Sequence, residues 1–220
     1  MPERETLARV VPFAVYMSFI VIADLLTRLG WSAQELRWLY AVKIAAVLAV
    51  LVYYRRHYVE LRWRRLPWRT VAIAVATGVL VLVLWINLDA GWMSIGEAAG
   101  FDPRVDGRID WRLAAVRLLG ATLVVPVMEE LFWRSFLARW LESPAFLTVD
   151  PSGIKIRAFI VTVILFGFEH NLWLAGIVAG TAYSLLYIRS RTLWTAIVAH
   201  AVTNGLLGCW ILATGMWIYW

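Results

Sequence analysis

VAIAVATGVLVLVLWINL, Val71 to Leu88, runs 18 residues without one ionisable side chain. At 1.5 Å rise per residue, a helix of that length nearly crosses the ~30 Å hydrocarbon core of a bilayer. A helix also satisfies its own backbone, which lipid cannot do. Further apolar runs lie at about 10–27, 38–54, 111–141, 156–172, 173–189 and 192–208, with a last stretch at 209–220. No β-barrel alternation is visible. The pattern predicts an all-α, polytopic transmembrane helix bundle of seven or eight helices, in one integral membrane domain over residues 1–220. The region Thr192 to Trp220 has no Asp, Glu, Lys or Arg. It has room for one span and a short eighth helix, with a break expected near Gly205 and Gly208.

Composition agrees. The 220 residues are 62% hydrophobic and only 16% charged, whereas a soluble domain carries about 25% charge. The net charge of +6 raises the question of nucleic acid. The basic residues, however, cluster between apolar runs, and no binding-module motif accompanies them, so no nucleic-acid partner is expected. Cys209 is the single cysteine, which rules out an intrachain disulfide and a thiolate metal cluster. The N-terminal apolar segment lacks a small-x-small cleavage site and is expected to stay as the first membrane helix.

Arginine sets the orientation. RRHYVELRWRRLPWR, Arg55 to Arg69, carries six arginines and reads as a cytoplasmic loop. The N-terminus is then cytoplasmic and the acid-rich segment Asp89 to Asp110 lies outside. Residues 139–157 and Arg189 to Arg191 fall inside again. This is the pattern of a multi-pass membrane protein, with the lipid bilayer as its constant partner. Trp31, Trp38, Trp68, Trp92, Trp111, Trp140 and Trp194 lie near helix ends, as an interfacial belt requires.

Within the spans, ionisable and amide side chains are costly and mark candidate sites. PVMEELFWRSF, Pro126 to Phe136, places Glu129, Glu130 and Arg134 in one apolar helix. Glu130 and Arg134 are i,i+4 and can pair on one face. Glu129 is rotated by about 100° and is free to face a cavity as a general base. FGFEH, Phe166 to His170, sets an aromatic ring and an imidazole at i,i+4. Glu169 and Asn171 point elsewhere and mark a helix end. HAVTN, His200 to Asn204, offers an imidazole and an amide on one face, suited to gripping an oxyanion. Each group alone also reads as interhelical glue: an ion cluster, a packing histidine or a hydrogen-bonded pair. Counted from the nearest inner charge, Glu129, His170 and His200 lie roughly 14–20 Å deep, and structural polars have no reason to agree in depth.

E-E-x-x-x-R, F-x-x-x-H and H-x-x-x-N in this order on successive membrane helices resemble the CPBP family. These are the CAAX prenyl proteases of the Ras-converting type and the bacteriocin-processing Abi proteins. The resemblance covers about 110–210, the expected catalytic core. The small size and the inner loop before the second motif are similar to the short CAAX-protease-related proteins found with bacterial exosortase systems. The resemblance implies an intramembrane endopeptidase acting on a membrane protein or lipidated peptide. Glu129 and His170 would activate water, Glu130 and Arg134 would hold the site with Phe166, and His200 and Asn204 would stabilise the oxyanion. No cofactor is required in that reading. Zinc is the alternative, with Glu129, His170 and His200 as ligands. H-E-x-x-H is absent, which excludes a zincin motif. Substrate is expected to enter a cavity open to the inner leaflet. Two other classes fit the same residues: a Glu/His proton-relay transporter, and a non-catalytic scaffold or immunity protein.

Overall fold

The computed structural model describes residues 2–62, 65–96 and 100–220. Trp63 and Arg64 of the arginine-rich segment, and Glu97 to Ala99 of the acid-rich one, lie outside the described residues. Seven principal helices occur among the described residues: α1 (Pro2–Arg28), α2 (Leu39–Tyr53), α3 (Trp68–Trp85), α4 (Trp111–Trp140), α5 (Ile156–Phe168), α6 (Trp173–Ser190) and α7 (Leu193–Thr214). Among the described residues the only sheet is a hairpin of two-residue strands, Arg104–Val105 against Arg108–Ile109. The chain is thus an all-α helix bundle, at the lower of the two predicted helix counts.

The eighth helix does not form. α7 runs unbroken through Gly205 and Gly208 to Thr214 and ends where Gly215 turns left-handed, at φ +72°. Both inner glycines face α4 instead: a Cβ on Gly205 would lie 3.3 Å from Thr122, and one on Gly208 would collide with Leu118. They are small because the helices are close, as in membrane bundles generally.

Among the described residues, five helices are long and apolar enough to cross a membrane: α1, α2 with its preceding turn, α3, α4 and α7. The other two are not. α5 has 13 residues and stops before Glu169 and His170, where the sequence pattern predicted a span to 172. α6 carries its small and hydroxyl residues on a buried face of Ala175, Gly176, Ala179, Gly180, Tyr183 and Ser184. It packs between α3, α5 and α7 and so presents less apolar surface to lipid than a peripheral helix.

The two ends differ in chemistry. At one, the segment after α2 folds back over the bundle. Glu60 pairs with Arg9 at 2.6 Å and Arg139 at 3.1 Å, and the Tyr58 hydroxyl donates to the Ala8 carbonyl. Arg191 and Asp150 meet at this end too, at 3.5 Å. At the other end, Ile95 and Asn171 exchange hydrogen bonds, Phe101 N–H donates to Trp217, and Tyr219 reaches Asp89. Residues 55–62, 65–69, 139–157 and 189–191 therefore share one end, and 89–96, 100–110, 169–172 and the C-terminus share the other, as the charge pattern requires. Of the belt tryptophans, Trp31, Trp38, Trp68, Trp92, Trp111 and Trp140 are exposed at helix ends, while Trp194 packs against the core.

Close crossings hold the site helices. A Cβ on Gly78 of α3 would collide with the Ala199 carbonyl of α7, and Thr203 donates to the Gly78 carbonyl at 2.9 Å. A Cβ on Gly176 of α6 would lie 2.9 Å from the Gly167 Cα of α5. Gly78→Val should wedge α3 from α7 and cost about 1–3 kcal/mol, the usual range for overpacking. Thermal unfolding in detergent would show the loss, and an unchanged midpoint would refute the close crossing.

Candidate active site

α4 is not a uniform helix. Gly120–Val124 and Leu131–Leu137 take the wider π spacing on either side of the α-helical Val125–Glu130. Such bulges are rare and gather at functional sites. Here the first has a local cause. Val125 N–H bonds to Gly120 O, five residues back. In that register Pro126 would serve Ala121, but proline has no N–H to give. The orphaned Ala121 carbonyl accepts from Asn204 Nδ2 of α7 at 2.9 Å. A side chain from a neighbouring helix thus repairs the backbone, as lipid-embedded prolines demand. Asn204 is tied to α4 and still lines the cavity.

Between the two bulges sit the carboxylates, both buried. Glu130 Oε1 takes Arg134 Nη1 at 3.2 Å and His200 Nδ1 at 3.0 Å. Arg134 also donates to the Gly180 carbonyl and Ser184 of α6, and its guanidinium lies 4.2 Å over the Phe166 ring. Glu130 and Arg134 therefore knit α4 to α5, α6 and α7. Glu129 makes none of these bonds. Its Oε2 has no hydrogen-bond partner and stands 4.0 Å from His200 Nε2, a gap suited to a bridging water.

The two imidazoles are held differently. His170 Nδ1 is 2.9 Å from the Phe166 carbonyl, which can only accept, so Nδ1 carries the proton and Nε2 keeps its lone pair. Phe166 at 4.9 Å and Trp85 at 5.3 Å fix the ring. His200 is stacked on Tyr183 at 5.0 Å, and Tyr183 donates to Thr203 at 2.7 Å. With Nδ1–H given to Glu130, His200 Nε2 donates only when the ring is doubly protonated.

Glu129, His170, His200, Asn204, Phe166 and Tyr183 line one cavity of about 190 Å³. It does not open where the sequence reading put it. Its wall also includes Tyr16, Ala179 and Thr203 at mid-depth, and Tyr40, Trp85, Arg117, Tyr219 and Trp220 toward the end that holds residues 89–96 and 100–110. On the arginine-rich side, Leu131, Trp133, Arg134, Ser135 and Arg139 are buried, and Glu60 with Arg9 caps them. The expected mouth on that side is closed by a buried ionic cluster.

Among the described residues, no three His, Cys, Asp or Glu side chains converge as a metal shell requires.

Four participants escaped the sequence reading. Glu169 accepts from Trp133 Nε1 at 2.9 Å, a link between α4 and the α5 end that only the fold reveals. Tyr183 lies in a run with no distinctive spacing. Lys43 Nζ sits 3.9 Å from the Tyr16 ring, and Arg117 sits 4.3 Å from Tyr40. Neither cation has a carboxylate partner among the described residues. Lys43 was legible as the one charge inside the run 38–54.

Asn204→Ala would leave the half-buried Ala121 carbonyl unpaired, at about 1–3 kcal/mol. Pro126→Ala restores a backbone donor, so the double variant should recover much of that stability. A midpoint equal to that of Asn204→Ala alone would show that Pro126 is not the cause.

Residues 111–206 match the family model of the type II CAAX prenyl endopeptidase Rce1-like proteins. No curated protein and no solved structure matches the chain. All three motifs fall within the matched span, on neighbouring helices around one cavity, so this part of the chain is similar to the Rce1-like CAAX prenyl endopeptidases.

Proposed function

We propose that this multi-pass membrane protein is a glutamate-dependent intramembrane endopeptidase, with its N-terminus in the cytoplasm of a bacterium. One observation carries the reading. Of two adjacent buried carboxylates, Glu130 is tied through Oε1 to Arg134 and His200, while Glu129 faces the cavity with no direct hydrogen bond at Oε2, 4.0 Å from His200 Nε2.

The chemistry follows from that division. Glu129 takes a proton from water as the oxygen attacks the scissile carbonyl carbon. His170, with its Nε2 lone pair turned from the Phe166 carbonyl, orients the water. The carbonyl oxygen becomes an oxyanion, met by doubly protonated His200 and the second N–H of Asn204. Collapse breaks the C–N bond, and Glu129 returns its proton to the leaving amine. Holding base, water and donors together supplies most of the acceleration by position and charge.

Cleavage of a library of membrane-anchored peptides by purified protein, with and without chelator, tests the proposal. Activity that survives complete metal removal supports it, and activity that needs added zinc overturns it. Substrate-dependent flux across liposomes without proteolysis would favour the proton-relay class instead.

A further inference from the structure

The cavity and the loop charges point in opposite directions. On α4 the lining residues climb from Glu129 through Val125 and Ala121 to Arg117. On α7 they climb from His200 through Asn204 and Leu207 to Gly208. Both ladders lead to the mouth formed by Trp85, Tyr219 and Trp220. Below Glu129 the α4 face is packed: Leu131 and Ser135 have no exposed surface, and Arg139 is 5% exposed. Of the 20 Lys and Arg among the described residues, twelve lie on segments at this solid end, six at the mouth end and two inside the spans. An excess of that size in short loops keeps a segment on the cytoplasmic side.

We infer that the site is served from the extracytoplasmic side, so that its substrates are peptide segments at or beyond the outer leaflet. This rests on the protease reading only for the word substrate; the direction of access stands on the cavity and the charges. An exported or membrane-anchored protein would be cut after its chain has crossed the membrane. Cytoplasmic peptides would be excluded by the buried cluster of Arg9, Glu60, Ser135 and Arg139.

Thiol accessibility tests this without any need for turnover. Cys209, which is exposed, is first removed as Cys209→Ala. Leu207→Cys and Ala121→Cys then report the cavity wall, Ala90→Cys the mouth end and Ser152→Cys the solid end. A membrane-impermeant maleimide should label Leu207→Cys, Ala121→Cys and Ala90→Cys in spheroplasts and Ser152→Cys only in inverted vesicles. Labelling of the wall positions in inverted vesicles, from both sides, or from neither while Ala90→Cys reacts would each overturn the inference. The same labelling in a Glu129→Gln background separates this question from catalysis, since loss of cleavage there leaves access unchanged.

Discussion

Glu129→Gln should abolish measurable cleavage while leaving the fold intact. A positioned general base contributes about 10²–10⁴ in rate, and glutamine keeps the shape but cannot take the proton. Stability should hold because Glu129 Oε2 has no hydrogen bond to lose. Glu130→Gln makes the contrast. That carboxylate serves Arg134 and His200 at once, and removing one partner from a buried ion pair costs about 3–5 kcal/mol. The two adjacent substitutions should therefore separate: the first loses kcat/KM at an unchanged unfolding midpoint, the second loses both. Retained cleavage in Glu129→Gln would sink the mechanism. Equal destabilisation by both would make the carboxylates one structural cluster.

Periodicity and charge made much of this legible in advance. Val71 to Leu88 announces a span because nothing in it interrupts the apolar run, and the i,i+4 spacing of Glu130 and Arg134 yields the pair seen at 3.2 Å. The turn after α5 was readable from Glu169, His170 and Asn171. The direction of the cavity was not. Depth counted from the nearest charge places residues along a helix axis but says nothing of which side of them is filled. Trp133, Ser135 and Arg139 look like an ordinary continuation of an apolar helix until Glu60 folds back over them. The double role of Asn204 was hidden for a related reason. It depends on a π register at Gly120–Val124, and a motif of constant i,i+4 spacing assumes a uniform helix. Lys43 shows the opposite failure: its signal was plain, but no partner in the motifs explained it.

Glu60→Ala should be among the most destabilising single changes in the chain. Its carboxylate accepts a fork from Arg9, at 2.8 Å and 2.6 Å, plus Arg139 at 3.1 Å and the Ser135 hydroxyl. Arg9 is 0% exposed and Arg139 5%. Without Glu60, Arg139 loses its carboxylate partner, and Arg9 keeps Glu5 as its one carboxylate together with the His57 carbonyl. The expected cost is about 3–5 kcal/mol, read as a fall in the unfolding midpoint. Acid should act in the same direction. Burial alone would raise the Glu60 pKa, but the hydrogen bonds and charge of Arg9 overcome it and hold the carboxyl below its ordinary value. A carboxylate lowered on folding gives full stability above the unfolded value of about 4.3 and loses it as pH falls through the folded one. The wild-type midpoint should then drop in that acid window by more than the midpoint of Glu60→Gln, which has no carboxylate left to protonate. Equal acid sensitivity would remove Glu60 from the account. The same substitution opens the seal under the site, so Leu207→Cys should become reactive in inverted vesicles only when Glu60 is also replaced. That coupling would tie the ionic cap to the one-sidedness of the cavity, which charge pairs of purely structural use would not produce.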